Sequence, residues 1–365
     1  MKKIITVLVV LATFGWIWSG RANAQGSSGT YSCPRFNQIV STHKTECLHW
    51  WSWNSFPDPN SPVTMVCCNP GGIPFGEYCV ALRPSCGAPP GAANETCIGC
   101  NGDRTGQAGH PIDLATGNTY ISQSDLSVPG LGGGLAVSRT WNSLLPATQN
   151  SYPFMFGTNW RSNYEERLIF ITGDGYLKYL RGDGSIWSFA VESVQSPNVF
   201  KAAAPATDTT TTITNGSPYW TLTAKGGEKR LFDSTSGVLV SIIDRNGNTT
   251  QLSYDSASRL ATVTDAALRH LYFNYPNGSS TLVSTITSDV GISLSYSYDG
   301  QGRLTQVTKP DTTTVSFDYD VLSKITAVRD TDGKILESHT YDVVGRGLTS
   351  SRANGVEAVT VTYPQ

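Results

Sequence analysis

Charge is scarce in this chain. Only 15% of its 365 residues are charged and the formal net charge is −2, so it lacks the electrostatic footprint of a nucleic-acid binder. Acidic and basic residues are interspersed, which also excludes a polybasic membrane patch. No cysteine follows Cys100. No stretch keeps helical periodicity for more than about two turns. Familiar catalytic motifs are missing as well: there is no Gly-x-Ser-x-Gly elbow, no His-Glu-x-x-His, no phosphate-cradling glycine loop and no Asp-Thr/Ser-Gly. His110-Pro111-x-Asp113 is a lone pair at a domain start and reads as structural. No catalytic residue, cofactor site or metal site is therefore singled out.

The N-terminus carries the one long apolar run. Met1-Lys2-Lys3 precedes an apolar stretch from Ile4 to Trp18, broken by Thr6, Thr13 and Gly15, and Ala22-Asn23-Ala24 supplies a small-x-small cleavage pattern. This is the layout of a secretory signal (1–24), with a mature chain expected to begin at Gln25. The run is short for a spanning helix. The protein is expected to be secreted or held at the cell surface or in the periplasm, with no membrane span after cleavage.

All eight cysteines lie in one window: Cys33, Cys47, Cys67, Cys68, Cys79, Cys86, Cys97 and Cys100. An even count in an exported chain reads as a small disulfide-stapled module, here 25–109 with its linker, and the pairing is left open. Two alternatives stand beside it. Cys97-x-x-Cys100 with His43 or His49 is a metal reading, and the same Cys-x-x-Cys is a redox reading. Trp50, Trp51 and Trp53 in this module form either a stacking platform for sugar rings or its miniature core.

What the chain has in abundance is a recurring tyrosine. Phe232, Tyr254, Tyr275, Tyr298, Tyr319, Tyr341 and Tyr363 are separated by 22, 21, 23, 21, 22 and 22 residues. A fixed period of this size marks units that bury apolar faces only against their neighbours. Ahead of each tyrosine, alternate residues are apolar, as in Leu271-x-Phe273-x-Tyr275, Leu294-x-Tyr296-x-Tyr298 and Val315-x-Phe317-x-Tyr319. Residues two apart share one face of a strand, so these sets are packing rows. Glu337 and His339 break the row before Tyr341, which suggests irregular packing or a solvent-facing position. After Tyr254, Tyr298, Tyr319 and Tyr341 comes an aspartate, expected to cap the next turn, with an arginine nearby expected to pair with it across the ladder. Asn246-Gly247, Asn277-Gly278, Asp332-Gly333 and Asn354-Gly355 are hairpin turn signals. Because the Tyr-Asp pair recurs, a packing role is read for it in place of a catalytic one.

Between the two ends, Leu135-x-Val137-x-Arg139-x-Trp141 alternates as a half-buried strand does. Residues 193–218, rich in Thr, Ser and Pro, read as a solvated connection or strand edge.

Several of these segments resemble a known family. Pro111-Ile112-Asp113-Leu114-Ala115-Thr116-Gly117-Asn118, Pro129-Gly130, Arg139-Thr140-Trp141-Asn142-Ser143 and Phe156-Gly157-x-Asn159-Trp160-Arg161-Ser162-Asn163-Tyr164-Glu165 are similar, in order, to the domain that precedes the repeats of bacterial RHS/YD-repeat proteins. Tyr254-Asp255, Tyr298-Asp299, Tyr319-Asp320 and Tyr341-Asp342 match the signature of the repeats themselves. The resemblance covers about 110–363 and divides this part into an N-terminal β domain (110–192), the connection (193–218) and YD repeats (219–365). It implies an all-β fold in which antiparallel hairpins wind into a curved sheet or partial shell behind the small disulfide-rich module.

In longer relatives such shells enclose a toxin polypeptide. The expectation is accordingly a non-enzymatic structural component of a polymorphic toxin system, without cofactor or nucleic-acid partner. Further repeats or a toxin polypeptide are its expected partners. Since the sequence stops at Tyr363-Pro364-Gln365, an incomplete shell with an exposed last strand is also expected. The second reading is a cell-surface carbohydrate-binding or adhesion module, and the third a thiol or metal enzyme in the Cys-rich segment.

Overall fold

The computed structural model describes residues 111–363 except 115, 146–151, 153, 171–175, 193–194, 205–207 and 209, together with the backbone of five short strands before them. Those are β1 (Asn54–Pro57) paired with β2 (Thr64–Cys67), β3 (Gly72–Phe75) paired with β4 (Tyr78–Ala81), and β5 (Gln107–Ala108), which pairs with β6 (Ile112–Asp113). The signal segment, the three tryptophans and the disulfide, metal and redox readings of the cysteines lie outside the described residues. Cys67 and Cys79 enter only as backbone positions of β2 and β4.

Among the described residues there is no α-helix, and no helix long and apolar enough to cross a membrane. Alternating apolar and hydroxyl-bearing residues bounded by Asp/Asn/Gly turns leave only strand and turn to build with. The first layer is a three-stranded antiparallel sheet of β7 (Tyr120–Val128), β8 (Leu135–Asn142) and β9 (Trp160–Ser162). Leu135, Val137, Arg139 and Trp141 of β8 share one face, and all four are buried.

The rest is one sheet of nineteen strands in which each strand pairs antiparallel with its neighbours in the chain. It opens with β10 (Arg167–Phe170), β11 (Leu177–Leu180), β12 (Ile186–Val191), β13 (Val199–Ala204) and β14 (Thr212–Thr214). The Thr/Ser/Pro-rich stretch 193–218 therefore contributes β13 and β14. There follow β15 (Tyr219–Thr223), β16 (Lys229–Asp233), β17 (Leu239–Ile243), β18 (Thr249–Tyr254), β19 (Leu260–Thr264), β20 (His270–Asn274) and β21 (Thr285–Ser288). The last strands are β22 (Ser293–Tyr298), β23 (Leu304–Thr308), β24 (Thr314–Tyr319), β25 (Ile325–Arg329), β26 (Ile335–Tyr341), β27 (Gly347–Arg352) and β28 (Val356–Thr360).

Two features curve this sheet. A register shift precedes each of four tyrosines, leaving Tyr254 opposite Leu260, Tyr298 opposite Leu304, Tyr319 opposite Ile325 and Tyr341 opposite Gly347. Such bulges bend a strand and increase its twist. The first strand also meets the chain again further on: Arg167 bridges Val238, the Leu168 N–H donates to the Gly237 carbonyl at 2.9 Å, and the Leu239 N–H donates to the Glu166 carbonyl at 3.3 Å. The sheet curls back until β10 touches the entry of β17. One apolar cluster runs from Ile121 and Trp141 of the three-stranded layer to Val328 of the long sheet, so both share a core.

Candidate functional site at the plugged face of the repeat sheet

The three-stranded layer and its loops lie against the apolar face of the long sheet and meet it one unit at a time. Tyr164 packs edge-on to Phe273 of β20 at 6.2 Å, and Phe156 lies 4.8 Å from Tyr296 of β22. Trp160 packs edge-on to Phe317 of β24 at 5.1 Å, and Trp141 to Tyr341 of β26 at 6.2 Å. Edge-to-face and tilted pairs suit the ring quadrupole, each worth about 0.5–1.5 kcal/mol beyond the area buried. The described residues of 111–165 are in this sense a plug seated in the curl of the repeats.

Polar contacts fix the plug in register. Arg139 grips Asp125 with two hydrogen bonds, Nε to Oδ2 at 2.7 Å and Nη2 to Oδ1 at 3.0 Å, and both side chains are fully buried. The Tyr296 hydroxyl of the repeat sheet donates to the same Oδ2 at 3.2 Å. Burial, helped by the Asp125 charge, pushes the Tyr296 phenol well up, which keeps it a donor. The Arg139 guanidinium also lies over the rings of Trp160 and Phe317, at 4.2 and 5.2 Å. Glu165 accepts the N–H groups of Met155 (2.8 Å) and Ser162 (2.9 Å), and burial raises its carboxyl against the opposing Arg161 charge. Backbone crosses the seam too: the Val283 N–H donates to the Met155 carbonyl at 2.9 Å, and the Gly347 N–H to the Gly117 carbonyl at 2.8 Å. Gly157 sits at φ +88°, where a Cβ would fall 2.5 Å from the Gly302 carbonyl oxygen. Only glycine combines that conformation with that approach.

The recurring aromatics occupy two kinds of place. Phe232 is fully buried against Tyr179 at 5.8 Å. The six tyrosines are half-buried, and each hydroxyl donates to a backbone carbonyl 15 or 16 residues earlier: Tyr254 to Leu239, Tyr275 to Leu260, Tyr298 to Val283, Tyr319 to Leu304, Tyr341 to Ile325 and Tyr363 to Gly347. Burial raises the phenols of Tyr254, Tyr275 and Tyr298, and that of Tyr319 to about 12. Phenols so held stay protonated at neutral pH. Five of the six acceptors, all but Val283, belong to residues that stand opposite a register shift, where the ladder is irregular.

The aspartate after the tyrosine closes its own turn. Asp255 Oδ1 accepts the N–H groups of Ala257 and Arg259, both at 2.9 Å, and Oδ2 accepts the Arg259 Nε at 2.8 Å. Asp299 with Arg303 and Asp342 with Arg346 repeat the arrangement. The arginine thus pairs inside its turn, where the sequence reading placed it across the ladder. With Oδ1 filled by two turn N–H groups, Oδ2 faces the side chain four residues on. The guanidinium then lies over the next tyrosine: Arg259 over Tyr275 at 4.3 Å, Arg303 over Tyr319 at 5.0 Å and Arg346 over Tyr363 at 4.3 Å. Asp244 and Asp330 likewise bond turn N–H groups of their own loops. Among the described residues no three His, Cys, Asp or Glu side chains stand close enough to hold a metal ion.

His339 is 2% exposed. Of the two readings of the broken row, irregular packing and a solvent-facing position, the second does not hold for His339. It takes the strand position filled by Phe273, Tyr296 and Phe317 in earlier units, and neither ring nitrogen has a hydrogen-bond partner. Sequence reading also missed Asp125 and Tyr179. Arg139 offered a signal, since an arginine alternating with Leu135, Val137 and Trp141 must bury its charge with a partner.

Among the described residues, two clefts beside the plug stand out. One, of ≈ 380 Å³, lies between β7–β8 and the wall of β11–β16, and each guanidinium lining it has an acidic partner: Arg139 with Asp125, Arg181 with Asp183 at 3.2 Å, and Arg230 with Glu166 at 2.7 Å. The other, also of ≈ 380 Å³, lies at the seam of β10 and β17.

Comparison with known proteins places these elements. The family described as a domain of unknown function, DUF6531, matches residues 109–189, and the RHS Repeat family matches 234–269, 277–314 and 298–335. The chain is 29% identical over 211 residues to the tRNA(Glu)-specific nuclease WapA of Bacillus subtilis subsp. natto and to the tRNA nuclease WapA of Bacillus subtilis strain 168. In both cases 53% of this chain is covered, but only 8% of the relative's length. Among solved structures, the TcdB2-TccC3-Cdc42 crystal structure aligns at 12% identity and a TM-score of 0.26, over 64% of this chain and 14% of that one. A porin-like protein from Bacteroides uniformis aligns at 11% identity and a TM-score of 0.27, over 63% and 92%. Scores at this level do not establish a shared shape.

Proposed function

We propose, since the chain belongs to the RHS/YD-repeat proteins, that it is an exported, non-enzymatic wall element whose coiled hairpins and N-terminal plug form part of a β-shell around a polypeptide. The observation that carries this reading is the return of β10 onto the entry of β17 with the plug seated in the curl. A sheet that turns back on itself and is stopped by its own N-terminal layer has the form of a container end. The chemistry of the repeat agrees: phenols are raised and spent on carbonyls, and the turn carboxylates are spent on N–H groups and guanidinium. Groups so engaged hold geometry, and their recurrence in each unit fits a packing role. The tRNA cleavage named for the WapA relatives is theirs, and the matched stretch is a small fraction of them.

The experiment is native mass spectrometry of the protein isolated from the medium of its own host, followed by proteolysis. A polypeptide that co-purifies, resists protease within the complex and is digested once the sheet is unfolded is the expected result. Isolation as a bare monomer would overturn the enclosing role. A second assay, incubation of the purified chain with total tRNA, is expected to leave the tRNA intact, and cleavage there would overturn the non-enzymatic role.

A further inference from the structure

The cleft at the seam of β10 and β17 is not explained by wall building. Its floor is apolar, from Met155, Leu180, Val238 and Leu260, and the rings of Tyr152, Tyr254 and Tyr275 line it. Three arginines and two glutamates also reach it: Arg161, Arg167, Arg259, Glu165 and Glu166. Four of these five are matched. Arg161 Nη1 lies 3.6 Å from Glu165, Arg259 Nη2 lies 2.7 Å from Asp255, and Glu166 lies 2.7 Å from Arg230. Arg259 is further saturated by the carbonyls of Asn277 and Ser280.

Arg167 is the remainder. Its Nη1 donates to the Ser236 carbonyl at 3.0 Å and its guanidinium lies 4.7 Å from the Tyr152 ring. Among the described residues no carboxylate stands within ion-pair distance of it. A guanidinium pairs best with a planar carboxylate, through two parallel hydrogen bonds. One unmatched cation in a mostly apolar cleft favours a singly charged ligand with an apolar body over a phosphate dianion, which would need more donors.

We propose that this seam cleft binds the carboxylate of an apolar acid, with Arg167 as the anchor, the aliphatic floor holding the ligand's body and the tyrosine rings flanking it. The ligand is a free small acid or the C-terminal carboxylate of a polypeptide ending in an apolar residue. The site stands independently of the shell reading.

Calorimetric titration of the mature chain with N-acetylphenylalanine and with its amide tests this without any substitution. Saturable binding of the acid, with the amide at least about tenfold weaker, is the expected result, since the amide keeps the body and loses the charge. Equal binding of acid and amide, or no binding of either at millimolar concentration, overturns the proposal. Arg167→Gln should remove the preference for the acid, and Arg167→Lys should keep part of it. Retention of the full preference in Arg167→Gln, with an unchanged circular dichroism spectrum, also overturns it. A pentapeptide ending in a free phenylalanine carboxylate separates the two sources: tighter binding than N-acetylphenylalanine assigns a polypeptide end, and equal or weaker binding assigns a small acid.

Discussion

The hydroxyl of Tyr319 donates to the carbonyl oxygen of Leu304 at 2.8 Å, fifteen residues upstream and one strand pair away. Leu304 is the residue that faces Tyr298 across a register shift, so its carbonyl belongs to the irregular point of its own hairpin. The tyrosine of one unit thus pairs a backbone carbonyl of the unit before it. Removing the hydroxyl while keeping the ring deletes this bond and the longer one that the hydroxyl accepts from the Trp160 indole N–H at 3.4 Å. Tyr319→Phe is expected to lower stability by about 1–3 kcal/mol, the cost of leaving the Leu304 carbonyl and the Trp160 N–H unpaired. Urea unfolding midpoints read this directly, and an unchanged midpoint would remove the hydroxyl from the account.

Substitution at Gly157 probes the contact of plug and sheet. Gly157→Ala forces a side chain into a left-handed position against the Gly302 carbonyl. A loss of about 1–3 kcal/mol is expected from strain of this kind. Gly247→Ala, at φ +88° with nothing within 4 Å, supplies the comparison. The two should differ, because only the first also displaces the plug. Thermal unfolding of both variants in parallel measures that difference.

The buried pair of Arg139 and Asp125 should show strong coupling. Asp125→Asn leaves a fully buried guanidinium without its counter-charge, and a loss of about 3–5 kcal/mol is expected. The double variant Arg139→Met with Asp125→Leu should regain most of it. A double variant no more stable than Asp125→Asn would show that the pair does more than neutralise itself.

Stability should fall in acid, with a gain just before it does. The hydrogen bond from Arg259 holds the Asp255 carboxyl below the usual carboxylate range, against a smaller contrary effect of burial. At Asp299 and Asp342 burial pushes upward but is outweighed by bonds from Arg303 and Arg346. These folded values lie below the unfolded value of about 3.9. Their stabilisation is present above that value and is lost as pH falls through the depressed folded values. Glu165 and Glu166, raised chiefly by burial, act with the opposite sign. Their part of the stability grows as pH falls through the raised folded values and is complete below the unfolded value of about 4.3. Denaturation midpoints from pH 7 down to about 2.5 should therefore peak on the acid side of neutrality and drop below about pH 4. Replacing Asp255, Asp299 and Asp342 by Asn should flatten the drop and leave the peak.

The strands and the period were legible because they repeat. Leu271-x-Phe273-x-Tyr275 and its copies state both the strand and the buried face. The acceptor of each tyrosine was not legible, since a carbonyl has no side-chain identity and Leu304 looks like any core residue. The plug was legible only in part. Arg139 on an apolar face announces a buried partner, but the packing of Trp141 on Tyr341 joins residues 200 apart in the sequence. The place of His339 could not be read at all, because the same substitution suits an exposed position. The seam cleft likewise depends on the curl that brings Arg167 to Val238, and no local pattern encodes that curl.

Hydrogen exchange at two amides tests the central claim, that the pre-repeat segment is seated as a plug in the repeat coil. The N–H groups of Val283 and Gly347 point to carbonyls of Met155 and Gly117 in the plug. Protection of both, equal to that of strand amides such as Val263 and Val307, is the result this account predicts. Exchange of both as fast as the exposed turn amides, with the strand amides still protected, would show the plug unseated and contradict it.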